Sequence, residues 1–408
     1  VQGSAPKRNY RIATALAADA SSADIFTADV HASAPYLASN TFLHIIPAAD
    51  YRKLLRSGTR DGALPEKKKS NSLVQALVKL INTYPFSILL GEGGWLYYKA
   101  LVRNGKNIIE EKKITHLYSS FRPFVDHFAA YQLKKKFPHL FWIADFRDLI
   151  IDPHYRHIYN TARHQRLFKK IFSRADLLTT VSDGLALHLK AYNPRVMTLR
   201  NGISGAIIPT EPNPASEFSI VYTGSMFLDK RNARPLFQAV RELSKDGKID
   251  IDHIRVHYAG KDGQDWQRLA QEYRIDTILV DHGLISPEAV KELQEKACIN
   301  VLLTVSSTQL QGVLTGKLIE YIESGSPILG ILVGQKDPEL SSILSELEIG
   351  QSFSDEPEDL EGIKQFLLAE YLNWQRTGMN RKPVKMEVLR GKYAMEVIIR
   401  PLLNAIGP

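Results

Sequence analysis

The feature that most constrains this chain is an alternation, kept up along nearly all of its 408 residues, of short apolar runs with stretches of helical period. Parallel strands cannot be joined by a tight turn and need a crossover, usually a helix, so the alternation predicts parallel α/β architecture. Strand-like runs fall at 25–30, 43–46, 87–90, 114–119, 141–146, 177–181 and 196–199. They resume at 219–223, 255–259, 277–281, 300–304 and 327–332. Helical patterns lie between them, at 123–136 and 156–174, then at 233–245, 265–274, 287–296, 316–324 and 338–347. The rhythm breaks at 208–217, IPTEPNPASE, where three prolines among polar residues suit an exposed linker.

The expected organisation is one α/β domain over 1–207, a linker at 208–217 and a second over 218–380. A closing helical segment, 381–408, is expected to pack back on the first domain. A doubly wound domain begins with a buried strand and a glycine loop, but Gly3-Ser4-Ala5-Pro6 reads as loop and 13–18 as the first helix. The expectation is therefore a first domain that lacks its first strand.

Net charge is +8, and it is unevenly placed. Residues 1–205 hold 30 Lys and Arg against 15 Asp and Glu, a net of +15; the remainder holds 22 against 29, a net of −7. Any one lysine cluster can be a solvated helix face, but a basic half fits a polyanionic partner such as anionic headgroups or a lipid-linked diphosphate. Nucleic acid is not expected, since no helix-turn-helix, zinc finger or RNA-binding aromatic signature is present. The stretch 51–80 is basic and amphipathic, and reads either as a membrane-surface segment or as a surface insertion. Cys298 is the only cysteine, which excludes an internal disulfide and fits a reducing, cytoplasmic setting with possible peripheral contact at the inner membrane face. No apolar run approaches the roughly 20 residues of a membrane span.

Two stretches carry candidate chemistry. In 300–331 a strand leads through a polar loop to a helix opening at Thr315-Gly316-Lys317, which aims backbone N–H groups and a positive dipole end at an anion. Glu320, one turn further in, can accept hydroxyl protons from a ribose, although a glutamate judged by itself is more often a surface residue. In 220–231 a strand ends at Gly224-Ser225, followed by Lys230 and Arg231. Gly224 lets backbone approach a pyrophosphate that Lys230 can neutralise, and the plain alternative is a strand–helix turn with a solvated basic pair.

Taken in order, these segments resemble the C-terminal half of retaining glycosyltransferases of the GT-B fold, in particular the large family-four group. ADLLTTVS at 175–182, LRNGI at 199–203, the 222–230 segment, His282-Gly283 and Glu320 with Ser324-Gly325-Ser326-Pro327 follow that group's sequence of motifs. In the first half, WIADFRDL at 142–149 resembles a segment of its polysaccharide-assembly subgroup. The resemblance implies two facing Rossmann-like domains that transfer a sugar, with retention, from a nucleotide-sugar donor to a saccharide or lipid-diphosphate-linked acceptor. It implies donor contacts at Gly224, Ser225, Lys230, Gly283, Thr315, Gly316, Lys317 and Glu320. Arg147 and Asp148 would serve the reaction, and Ser4, His116, Ser119 and Ser120 the acceptor side. No metal or other cofactor is expected, because the group lacks a metal-bound Asp-x-Asp motif. Two positions depart from the pattern: Ser225 replaces an arginine, and Gly312 replaces the first of two paired glutamates. Those departures keep open a non-catalytic sugar-nucleotide-binding protein, and the shared architecture keeps open a sugar-nucleotide epimerase.

Overall fold

The computed structural model describes residues 4–28, 40–48, 72–91, 93–121, 123–151, 158–203, 208–226, 231–308, 311–314 and 316–407. The chain divides into two units, Gly3–Arg200 with Ile399–Pro408, and Asn201–Ile398.

The first unit opens with α1 (Ser4–Asp19), β1 (Ala23–Thr27) and β2 (Thr41–Ile45). It continues with α2 (Ser72–Asn82), α3 (Phe86–Leu89), α4 (Gly94–Lys112), β3 (His116–Phe121), α5 (Phe124–Lys136) and β4 (Phe141–Phe146). Then come α6 (Thr161–Phe172), β5 (Leu177–Thr180), α7 (Asp183–Leu189) and β6 (Val196–Thr198). Its strands form a parallel pair, β1-β2, and a four-stranded parallel sheet, β3-β4-β5-β6. Trp142, Phe146, Phe168 and Phe172 are buried at the centre of the four-stranded sheet's core. Burying each such ring contributes ~2–3 kcal/mol.

Two expectations are corrected here. The loop expected at the start is helical from Ser4. The strand expected at 87–90 is a single helical turn: a four-residue run does not distinguish the two, and this one follows Pro85 at the N-cap, with Ile88 turned into the core.

The second unit is one six-stranded parallel sheet of order β12-β11-β10-β7-β8-β9. Its strands are β7 (Phe218–Thr223), β8 (Ile254–Ala259), β9 (Leu279–Asp281), β10 (Ile299–Ser306), β11 (Ile328–Gly334) and β12 (Gly350–Ser354). The helices are α8 (Arg234–Lys245), α9 (Gly263–Glu272), α10 (Pro287–Lys296), α11 (Gly316–Ser324), α12 (Pro338–Glu346), α13 (Leu360–Thr377) and α14 (Met386–Tyr393). Side-chain caps explain several starts: Ser286 accepts from Ala289 N at 3.2 Å, and Asp337 from Glu339 N at 3.0 Å. Helix α13 stops at Gly378, whose φ of 65° lets its N–H close back on Trp374 O.

Strands β7 to β9 build outward on one side and β10 to β12 on the other, so the order reverses between β7 and β10. In open α/β sheets that reversal leaves a crevice beyond the carboxyl ends of the two central strands. The stretch read as a linker, 208–217, lies within the second unit: Asn213 N donates to Asn380 Oδ1 at 2.7 Å, and Trp374 Nε1 to Ala215 O at 2.8 Å. The closing helical segment is broken at Ala394, whose extended backbone separates α14 from α15 (Met395–Ile406). Only 399–408 belong to the first unit, where Ile406 O meets His116 Nε2 at 3.1 Å.

Candidate functional site

The crevice of the second unit gathers residues from the ends of β7, β8 and β9 and from the start of α11. Strand β7 is buried along its whole length and delivers Thr223 to a turn at Gly224, whose φ is 110°. That backbone is open to glycine and strained for any other residue. Gly224 N donates to Ala259 O at 2.6 Å, and Met226 N to Asp262 Oδ2 at 2.7 Å. Two phenols fix the turn's carbonyls: Tyr258 donates to Gly224 O at 3.0 Å and Tyr222 to Ser225 O at 2.9 Å. Both phenols belong to a stack on Trp266, with ring centroids 5.1 and 5.2 Å from it. The turn therefore rests on a rigid aromatic floor.

Two cations lie against this turn. Lys317, the second residue of α11, crosses from the other side of the switch point, donates to Thr223 O and sits 4.5 Å over the Tyr222 ring. A side chain on Gly224 would collide with its ammonium. Arg231 reaches the same turn from the α8 side, donating to Ser225 O and, at 3.2 Å, to Tyr222 Oη. Burial pushes the Lys317 ammonium down to about 7, with Arg231 adding repulsion and Glu320 opposing both. Two cations and a helix N-terminus converging on a glycine turn are an arrangement that can receive an anion.

Of the residues expected to share this site, Gly224, Ser225, Gly316 and Lys317 are brought together. Glu320 is half-buried one turn along α11, close enough to act on Lys317. Gly283 lies past the end of β9 with a φ of 60°; its N–H donates to Asp281 Oδ1 at 2.9 Å and its carbonyl accepts from Gly260 N at 2.8 Å. Lys230 and Thr315 lie outside the described residues. Gly312, where a glutamate was the comparison, has a φ of 70° and donates its N–H to Asp337 Oδ2 at 2.6 Å. The loop is built on glycine there and pinned to the cap of α12.

In the first unit, Arg147 Nε donates to Asp148 Oδ2 at 3.3 Å, and the pair is partly exposed just past the end of β4. The buried carboxylate of this segment is Asp145. It accepts from Arg8 Nη2 at 2.7 Å and Thr179 Oγ1 at 2.7 Å. Burial pushes Asp145 up, but the Arg8 charge and these hydrogen bonds outweigh it and hold the carboxyl below its ordinary range. Ser120 Oγ reaches Asn9 Oδ1 at 3.1 Å and Asp145 Oδ2 at 3.2 Å.

Ser119 is committed elsewhere. It is buried, receiving Trp142 Nε1 at 2.9 Å and pairing with His127 Nδ1 at 2.7 Å, so the strand end offers Ser120 rather than Ser119. His116 ties down Ile406, as described, and Ser4 opens α1 with its side chain outside the description. The reading from sequence missed Arg231 as a member of the site and Asp145 as the anchor of α1. The first was hidden by its neighbour Lys230. The second had a signal, a lone acid inside the apolar run of β4.

No family model matches the chain, and no curated protein does. Solved structures match its fold. A glycosyltransferase from Rickettsia africae ESF-5 aligns over 100% of this chain and 95% of its own length, with a TM-score of 0.60 and 11% identity. Sucrose-phosphate synthase from Thermosynechococcus elongatus aligns over 96% and 90%, with a TM-score of 0.56 and 14% identity. WaaG, a glycosyltransferase involved in lipopolysaccharide biosynthesis, aligns over 100% and 94%, with a TM-score of 0.53 and 12% identity. With two Rossmann-like units and closing C-terminal helices, the chain has the GT-B fold that these glycosyltransferase structures share.

Proposed function

We propose that the protein is a glycosyltransferase that moves a sugar, with retention of configuration, from a nucleotide-sugar to a saccharide or lipid-diphosphate-linked acceptor in cell-surface polysaccharide or glycolipid synthesis. The observation that carries this reading is the pairing of Lys317 and Arg231 on the Gly224-Ser225 turn at the switch point. A nucleoside diphosphate supplies the anion such a pair accepts, and its departing charge is what the catalyst must stabilise. Lys317, Arg231 and the N-terminus of α11 meet that charge without a metal, taking the part of the arginine that Ser225 replaces. Lys230 and Thr315 are proposed beside them, and Glu320 holds the ribose. Gly283 borders the base. Arg147 and Asp148 serve the reacting sugar and acceptor, with Ser120 on the acceptor side.

The likeness to WaaG and to the other glycosyltransferases supports the transferase reading through shared fold. The glycine-specific backbone at Gly312 supports taking the lost glutamate as a different loop construction rather than a damaged site. The protein is proposed to work in the cytoplasm, at the inner membrane face.

The test is a thermal-shift series with UDP-, GDP-, dTDP- and ADP-sugars, without added metal. One nucleotide class should raise the melting temperature of the wild type, because a ligand bound only by the folded state stabilises it. Lys317→Ala, Arg231→Ala and Glu320→Ala should each diminish that shift. Arg147→Ala and Asp148→Asn should keep the shift and lose sugar transfer. No shift with any donor at millimolar concentration overturns the proposal.

A further inference from the structure

The first unit carries large apolar side chains in solvent on three consecutive elements that pack on one another, α2 on α3 and α3 on α4. They are Leu77 and Leu80 from α2, Phe86 and Leu89 from α3, and Trp95 and Leu96 from the first turn of α4. The same elements have a second, inward face: Ile81, Ile88 and Tyr97 are buried, the latter two with Ile46 and Val125. The exposed set is thus a surplus beyond what the fold needs. Leu96 is 74% exposed, and Trp95, stacked on Tyr98 at 5.0 Å, is 40% exposed.

Cations accompany these side chains. Lys99 Nζ lies 5.3 Å over the Trp95 ring, and Lys79 Nζ lies 4.6 Å over the ring of Tyr159, itself exposed. From 72 to 112 the sequence holds Lys79, Lys99, Arg103, Lys106 and Lys112 against Glu92, Glu110 and Glu111, the last two at the far end of α4, and 67–69 add three lysines upstream. Apolar side chains and an amphipathic indole with lysines lying over the exposed rings, and an excess of cations over carboxylates, match a bilayer interface. Tryptophan sits there at headgroup level, and lysines meet anionic headgroups. A second copy presenting the same face would oppose like charges.

We propose that the face made by α2, α3 and the start of α4 docks on an anionic lipid bilayer, with Trp95 and Leu96 entering the interface and Lys79 and Lys99 pairing with lipid phosphates. This gives the membrane-side part of the proposed function a place on the molecule, and rests on that reading for its biological purpose.

Trp95 is its own reporter, since the other three tryptophans, Trp142, Trp266 and Trp374, are buried. Adding phosphatidylglycerol-containing vesicles to the full chain at low salt should shift tryptophan emission to the blue, and pure phosphatidylcholine vesicles should not. The shift should vanish in Trp95→Phe, while sedimentation with the vesicles persists. Leu96→Asp, and Lys79→Glu with Lys99→Glu, should each weaken vesicle binding by about tenfold or more. Leu284→Asp, at an 82% exposed site in the second unit, should leave it unchanged. Melting temperature and the nucleotide-sugar shift, read on every variant, separate this surface from folding and from the donor site. An unmoved spectrum, or binding indifferent to Leu96→Asp and to the charge reversals, overturns the proposal even where donor binding is intact. Concentration-dependent dimerisation abolished by Leu96→Asp overturns it in favour of a second copy.

Discussion

Lys317 illustrates how one residue can carry both a cost to the fold and a use in the site. Its ammonium is held in a largely buried position, near a second cation, at a folded value of about 7 against the ordinary 10.4 of a lysine in water. The unfolded chain binds the proton more tightly, so between about pH 7 and 10 this residue's contribution to stability rises with pH. Ligand binding runs in the opposite sense. A diphosphate favours the charged form, so below pH 7 the free protein is already protonated and binds fully, and above pH 7 each binding event must take up a proton. Titration calorimetry at pH 8 in two buffers of different ionisation enthalpy should then give donor-binding enthalpies that differ by an amount corresponding to nearly one proton. Lys317→Met should remove that difference. Equal enthalpies for the wild type would mean that Lys317 does not meet the phosphate.

Helix α1 meets the sheet of the first unit through a buried ion pair, Arg8 with Asp145, beside the fully buried Ile12 and Ala17. Removing one partner leaves an uncompensated buried charge, which costs about 3–5 kcal/mol, while removing both costs far less. Asp145→Asn should therefore lower the melting temperature by on the order of 10 °C, and Arg8→Met added to it should recover much of the loss. Additive effects of the two changes would show that the pair is not the fastening. The Asp145 carboxyl is held low, so this contribution is complete above the ordinary carboxylate range and disappears as pH falls through the folded value. The same elements show what the sequence could convey. Strand β4 spans the bounds that the sequence predicts, 141–146, because an apolar run bounded by turn signals admits little else. Helices α4 and α13 went unread. The buried face of α4 is diluted by Gly94 and Gly105, so its pattern is weak, whereas α13 carries a regular face, Ile363, Phe366, Leu367, Tyr371 and Trp374, whose helical period was there to be read. At the site, Gly224 and Lys317 were legible as a glycine turn and a helix start, while the turn's aromatic floor was not. Tyr222, Tyr258 and Trp266 meet only when β7, β8 and α9 are assembled.

For the whole molecule, the described residues proposed for the donor site, Gly224, Ser225, Arg231, Gly283, Gly316, Lys317 and Glu320, fall in one unit, and the exposed apolar face lies in the other. Each unit has cores of its own: around Trp142 and Phe172 in the first, and around Tyr222 and Trp266 in the second. The charge divides along nearly the same line, +15 over residues 1–205 and −7 over the rest. Division of this kind makes independent melting the natural expectation, since two-state behaviour is a property of single cores and ligand stabilisation acts on the unit that binds. Differential scanning calorimetry should resolve two components. A nucleotide-sugar at about 100 times its Kd should stabilise one of them by roughly 2.7 kcal/mol and leave the other in place. Lys317→Ala should abolish that movement, whereas Asp145→Asn should lower only the component that the ligand does not move. A single transition displaced as a whole by both ligand and Asp145→Asn would show that the units unfold as one cooperative body, and that a donor bound in the second unit is felt throughout the first.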